Sequence, residues 1–310
     1  MFRTSVELME YLPSQFGRGT VLGQHGLPGH ELFTDEALAA LLDRIPRNRL
    51  YAFSMGTDPE RPEENHMALH DGVSGAELLR AVRNGRLWLN ATRINQADER
   101  YSQLIGDLYR GLVTQVPGFA PERNQGTLLI SSPRAQVYYH ADGPASVLWH
   151  VRGRKRVWVY PALDPRFVTR ELLEDVIAGA RHEYLPYRPT YDSSARVFDL
   201  QPGQWISWPQ NSPHRIENLD SLNVSLSTEH FTKDTRRRCQ VYVANRFFRT
   251  KLDIRKLSGH EHGPAAVSKI MVQRIARAIG LDALPVKEHI PSLRVAPDAP
   301  NGVVPLEQGS

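Results

Sequence analysis

Residues 137–160 read V-Y-Y-H-A-D-G-P-A-S-V-L-W-H-V-R-G-R-K-R-V-W-V-Y, with His140 and Asp142 as an H-x-D pair and Lys155 beyond a turn at Arg152-Gly153. Residues 202–214, P-G-Q-W-I-S-W-P-Q-N-S-P-H, end in His214. Two imidazoles and one carboxylate make the facial triad that holds non-heme Fe(II) and leaves positions open for a cosubstrate and dioxygen. Side chains at i and i+2 of an extended chain share a face, so His140 and Asp142 point the same way. Of the twelve histidines, His140 alone is followed by an acid two residues on. Such a pair arises easily by chance; its conjunction with a lysine hairpin and a histidine behind a Pro-Gly turn gives it meaning. By alternation Arg154 and Arg156 face away from Lys155, so the lysine alone shares the interior. A buried lysine needs a partner, and a carboxylate of a bound cosubstrate would supply one.

These ligands need rigid, facing strands, and the chain from Gly126 onward offers them. There the period changes to two, and residues 127–130, 135–140, 146–151, 155–160, 196–200, 204–208 and 222–228 read as strands. Many short strands broken by Gly and Pro indicate a sandwich or barrel. Residues 165–180 carry a helix, and 184–191 form a Tyr/Pro-rich insertion whose Tyr184, Tyr187 and Tyr191 suit a lid over the site. Upstream, a Thr34 cap opens a helix to about Ile45, residues 49–55 form a strand, and Ser74 with Glu77 makes a capping box for a helix stopped by Gly85. Residues 87–90 form a short strand and 96–113 an amphipathic helix; residues 1–33, rich in glycine, read as loops with one short helix at most. Downstream come a basic helix from Asp234 and a second from Pro264 to Gly280. Val241, Val243, Phe247 and Phe248 give the basic helix a packing face, which favours dimer or domain docking over DNA.

The three-part motif resembles the JmjC and cupin-like branch of the 2-oxoglutarate- and Fe(II)-dependent oxygenases, most nearly the asparaginyl hydroxylase of hypoxia-inducible factor. In that family H-x-D/E begins the metal site, and a G-x-K-R hairpin places a lysine fifteen residues on, as Gly153-Arg154-Lys155-Arg156 does here. A P-G-D/Q turn and a W/Y-P segment precede the distal histidine, as Pro202-Gly203-Gln204 and Trp208-Pro209 precede His214. The match spans residues 125–232. It implies His140, Asp142 and His214 as metal ligands, Lys155 as the anchor of 2-oxoglutarate, and Fe(II) and dioxygen as the other reactants. Another branch anchors through an arginine ten residues past the distal histidine; Val224 stands there, so the lysine is the consistent choice. Two departures stand out. A threonine three residues before the first histidine is Val137 here, which leaves Tyr138, Ser146 or Ser132 to hydrogen-bond the cosubstrate. An asparagine fifteen residues after the distal histidine is Glu229, with Asn223 a further polar candidate on the same strand.

The expected fold is therefore mainly β with flanking helices: a double-stranded β-helix of the cupin/JmjC jelly-roll type. Residues 1–125 would pack on it, 126–232 form the core, 233–284 make C-terminal helices available for a homodimer, and 285–310 run as an extended tail. The expected reaction is hydroxylation of a carbon of a protein, peptide, amino acid or small molecule. N-demethylation by the same iron chemistry, a cupin metalloenzyme independent of 2-oxoglutarate, and a non-catalytic regulatory protein are the alternatives. One cysteine, Cys239, excludes an internal disulfide framework and fits a reducing compartment. With no apolar run of membrane length and no apolar leader, a cytoplasmic protein is expected. A net charge of +4 is too small to argue for nucleic acid as a partner.

Overall fold

The structure is a computed structural model and describes residues 6–8, 14–283 and 290–306. The first part of the chain holds strands β1 (Val6–Leu8), β2 (Val21–His25), β3 (Leu50–Ser54), β4 (His66–Leu69) and β5 (Leu87–Ala91). Between and after them lie helices α1 (Asp35–Arg44), α2 (Gly75–Asn84), the short α3 (Ile94–Ala97) and α4 (Glu99–Gln115). Local chemistry sets where these helices begin. The Thr34 hydroxyl accepts the Ala37 N–H, Ser74 and Glu77 complete a reciprocal capping box, and the Asp98 carboxylate accepts the Arg100 N–H. Asp98 moves the start of the long helix three residues past the sequence expectation and leaves Ile94–Ala97 as a separate turn.

The central part supplies β6 (Glu122–Ser131), β7 (Gln136–His140), β8 (Ala145–Arg152), β9 (Lys155–Val159), helix α5 (Arg170–Ile177), β10 (Arg196–Leu200), β11 (Gln204–Ser207), β12 (His214–Asn218) and β13 (Asn223–Phe231). Helices α6 (Lys233–Lys251) and α7 (Pro264–Ala278) follow, then β14 (Leu293–Val295) and β15 (Val303–Pro305). The strands form two sheets. The large one has the order β1-β2-β11-β8-β13-β6-β5-β3-β4-β14-β15, the small one β10-β9-β12-β7. The architecture is mostly β, with helices on both outer faces.

Three apolar layers follow from this order. The outer face of the large sheet (Val147, Trp149, Trp205, Leu226) packs under Leu38, Leu41, Leu78, Leu108 and Leu112 of α1, α2 and α4. Leu148 and Ile206 on its inner face meet Val157, Val159 and Ile216 of the small sheet. The outer face of the small sheet (Tyr139, Trp158, Tyr160) is covered by Leu173, Val241, Tyr242 and Ile270 of α5, α6 and α7. Strand β8 is thus covered on both sides, which explains why seven of its eight residues are buried and why its sequence is so apolar.

Two segments differ from expectation. The glycine-rich stretch read as loops contains β2, which pairs antiparallel with β11 through Gln204↔Gln24 and Ser207↔Val21. Within the segment read as an extended tail, β14 joins β4 in parallel through Leu293↔Ala68, and β15 closes the edge. Among the described residues no helix is long and apolar enough to cross a membrane.

Candidate metal centre

Strands β7 and β12 are antiparallel neighbours, and their pairing sets His140 opposite His214. The two rings lie 4.0 Å apart, centroid to centroid. Asp142 follows two residues beyond the end of β7, with its carboxylate oxygens 3.8 Å from His140 Nε2 and 3.7 Å from His214 Nε2. One ligand atom from each of the three falls within 4.8 Å of the others. Each imidazole is oriented by its far nitrogen: His140 Nδ1 lies 2.7 Å from the Tyr138 carbonyl and His214 Nδ1 3.1 Å from the Ser212 carbonyl. A carbonyl only accepts, so both Nδ1 atoms carry the proton and both Nε2 lone pairs face Asp142. Burial, and then His140 beside it, hold His214 well below the usual imidazole range, so it stands ready as a neutral ligand. The Ser146 hydroxyl donates to Asp142 Oδ2 at 3.2 Å, and the Asn211 amide holds the Asp142 carbonyl at 2.7 Å. Trp208 packs against His214 with centroids 4.3 Å apart. Two imidazole nitrogens and one carboxylate on a fixed frame fit a divalent iron with further positions open.

Lys155 opens β9 and is 3 % exposed. It shares its face with Val157 and Val159, which pack between the sheets. Arg154 is exposed, and Arg156 turns outward to Asp199 at 2.6 Å. Lys155 Nζ makes no hydrogen bond or ion pair with a described residue, and burial pulls its pKa from 10.5 down to about 7. Around it lie polar groups from the inner faces. Asn218, in register with Lys155, donates to Ser131 Oγ at 2.7 Å, and His150 bonds Ser225 Oγ and the Gly153 carbonyl. Asn223 spends its amide on the Ser221 carbonyl and leaves a buried Oδ1 without a partner. Burying an ammonium without a counter-charge is costly, which is why its pKa is pulled down.

The remaining candidates are distributed around this frame. A bulge between His214 and Ile216 pairs Ile216 with Val137, so Val137 faces inward and packs with Leu148 and Ile206 between the sheets. Tyr138 accepts the Gly56 N–H at 3.1 Å and packs with Phe53, Met55 and Trp88. Ser146 serves Asp142, and Ser132 is tied to the Val82 carbonyl and the Leu87 N–H. Glu229, in register with Ser146 and Gln125, is raised to about 7 by burial, then by Asp142 and Glu183. Of the insertion tyrosines, Tyr184 forms a β-bridge with His140 and brings its ring to 6.5 Å from the imidazole. Tyr187 and Tyr191 pack instead beside Tyr139 on the outer face of the small sheet. The sequence reading missed Asp192, which accepts hydrogen bonds from Tyr160 and Tyr187 and pairs with the buried guanidinium of Arg215, itself 3.4 Å above the Trp158 ring. This hub pins the insertion and thereby Tyr184; its partners are scattered in sequence, so no local pattern announces it. Asn211 was likewise missed; the signal available was its place in Pro-Gln-Asn-Ser-Pro, a turn in which it takes a left-handed φ of 64°.

No protein-family profile matches the chain. Among solved structures it is similar to ycfD of Escherichia coli, with a TM-score of 0.51 and 13 % identity, covering 89 % of this chain and 69 % of that one. A structure of the Escherichia coli ribosomal oxygenase YcfD gives a TM-score of 0.48 at 13 % identity over 89 % and 68 % of the two chains. Another of that protein, in complex with cobalt and 2-oxoglutarate, gives 0.47 at 13 % identity over the same shares. The first of these likenesses shows a common fold: a mostly-β arrangement with a large sheet and added helices.

Proposed function

We propose that this chain is a JmjC-type Fe(II)- and 2-oxoglutarate-dependent oxygenase that hydroxylates a carbon of a protein or peptide. The observation that carries the reading is the convergence of His140 Nε2, His214 Nε2 and the Asp142 carboxylate in a chamber that also contains an unpaired buried ammonium. His140, Asp142 and His214 would hold the metal, and Lys155 the far carboxylate of 2-oxoglutarate. Iron with 2-oxoglutarate and dioxygen supplies oxidative decarboxylation to succinate and carbon dioxide, coupled to hydroxylation of a C–H bond. The chain's own residues do the rest. The Tyr138 and Ser212 carbonyls fix the imidazole tautomers, Ser146 and Asn211 aim Asp142, and Val157, Val159 and Ile216 keep the chamber dry. Tyr138 and Asn223 stand as further polar groups for the cosubstrate, and Glu229 as a carboxyl group at the mouth.

We read the two facing sheets as a double-stranded β-helix, with residues 126–232 as its core, and place the protein in the cytoplasm. The fold likeness to YcfD, named as a ribosomal oxygenase and crystallised with cobalt and 2-oxoglutarate, supports a macromolecular substrate and this cofactor set. Kinship with the asparaginyl hydroxylase of hypoxia-inducible factor rests on the motif alone. A homodimer through the C-terminal helices is favoured by α7, which exposes Val267, Met271, Val272 and Ile275. The test is succinate formation from 2-oxoglutarate by purified Fe(II)-loaded protein. Turnover should be present in the wild type and absent in His140→Ala; equal turnover in both would overturn the reading.

A further inference from the structure

Two depressions lie where the paired strands β6 and β13 reach the end nearest Asp142. One, about 630 Å³, contains Gly143 and Pro144, directly after Asp142, together with Arg123 and Phe231. The other, about 480 Å³, is lined by Gln125 and Glu229, two residues further along each strand from Arg123 and Phe231. Their linings carry six arginines against one carboxyl group, Glu229. Arg236 and Arg277 are matched by Glu122 and Asp282. Arg93 is set against Glu229, whose carboxyl group feels its charge, while Arg49, Arg123 and Arg274 make no ion pair or side-chain hydrogen bond among the described residues. A modest net charge of +4 therefore conceals a concentrated field at the mouth of the centre. The floor of the larger depression is aliphatic, made by Ile177 of α5, Val243 of α6 and Ile270 of α7.

We propose that the segment presented to the metal centre belongs to an acidic polypeptide, lying across the mouth with carboxylates on the unmatched guanidiniums of Arg49, Arg123 and Arg274 and an apolar side chain on the Ile177–Val243–Ile270 floor. This rests on the oxygenase reading and deepens it. Two depressions strung along one strand pair suit an extended chain better than a single small molecule. Unmatched arginines ask for carboxylates or phosphates in bidentate geometry. A single-stranded nucleic acid would be met by a run of stacked aromatic platforms, whereas each lining carries one aromatic side chain, Phe231 or Tyr51, and Glu229 would repel a phosphate backbone. Basic polypeptides are excluded by the same field, which sets this mouth against a lysine- or arginine-rich partner.

The test uses full-length protein loaded with Co(II) and 2-oxoglutarate and follows fluorescence anisotropy of three probes: a peptide rich in Glu and Leu, its Lys and Leu counterpart, and a poly-U oligonucleotide. The acidic peptide should bind at least about tenfold more tightly than either competitor, and its affinity should fall as salt is raised. Arg123→Glu with Arg274→Glu should weaken it about tenfold or more, while Co(II) and 2-oxoglutarate titrations stay as in the wild type. Preference for the basic peptide or the oligonucleotide would overturn the proposal. So would binding of none of them, indifference to the double variant, or loss of peptide binding as the chain self-associates at higher concentration, which would mean that a second copy occupies this face. Loss of Co(II) binding in the unmutated protein would instead sink the metal centre, so the two failures are separable.

Discussion

Replacing Lys155 by methionine should stabilise the metal-free protein while abolishing its grip on 2-oxoglutarate. The side chains are similar in length, but methionine brings no charge into a site that is 3 % exposed and offers the ammonium no partner. The fall of the lysine pKa from 10.5 to about 7 corresponds to roughly 4–5 kcal/mol at ~1.36 kcal/mol per tenfold step. Allowing for relaxation and water entry, the expected gain is about 2–4 kcal/mol. The pH dependence fixes the cause. Between pH 7 and 10.5 the unfolded chain holds this proton and the folded chain does not, so wild-type stability rises with pH across that window. Below about pH 7 the cost is fully present; above 10.5 it is gone. Lys155→Met should accordingly be the more stable protein in urea at pH 6, with the advantage shrinking to nothing toward pH 11. Calorimetric titration of the Co(II)-loaded variant should show no 2-oxoglutarate binding at any of these pH values. A variant less stable than the wild type at pH 6, or a gain that ignores pH, would mean that the ammonium already has a partner, and the anchor role would fall.

Three further substitutions test the frame. Ser146→Ala removes the hydroxyl that orients Asp142 and should lower Co(II) affinity about 10-fold, read by competition with a chelating dye, with the fold unchanged. Gly153→Ala places a Cβ 2.5 Å from the Leu222 carbonyl and 2.8 Å from the Asn223 side chain, at a φ of +85°. It should cost about 2–3 kcal/mol in urea unfolding and weaken 2-oxoglutarate binding by shifting the turn that leads into Lys155. Asp192→Ala strands the buried Arg215 guanidinium and should cost about 2–4 kcal/mol, with faster proteolysis of residues 181–195 by mass-spectrometric mapping.

The metal centre was legible because its parts are local patterns: i and i+2 on one strand, a hairpin glycine ahead of a lysine, a Pro-Gly turn ahead of a histidine. Alternation alone placed Arg156 outside and Lys155 inside, as found. The same rule fails at β7, where Tyr139 faces away from His140 as alternation requires but the bulge turns Val137 inward alongside His140. A bulge is set by pairing with a distant strand, so residues 135–140 by themselves cannot announce it. Strand β2 went unread because Gly23 interrupts its alternation, and its stability comes from β11, some 180 residues away. The parallel union of β14 with β4 is non-local in the same way. Helix starts were clearer, since Thr34 and the Ser74–Glu77 box act within one turn.

The most direct measurement of the central claim is anaerobic titration of Fe(II)-loaded protein with 2-oxoglutarate, followed by visible absorption. Chelation of the keto acid by iron at His140, Asp142 and His214 predicts a charge-transfer band that saturates at one equivalent and is absent from His140→Ala and His214→Ala. Failure of the wild-type protein to hold Fe(II), or an identical band in the two histidine variants, would contradict the account.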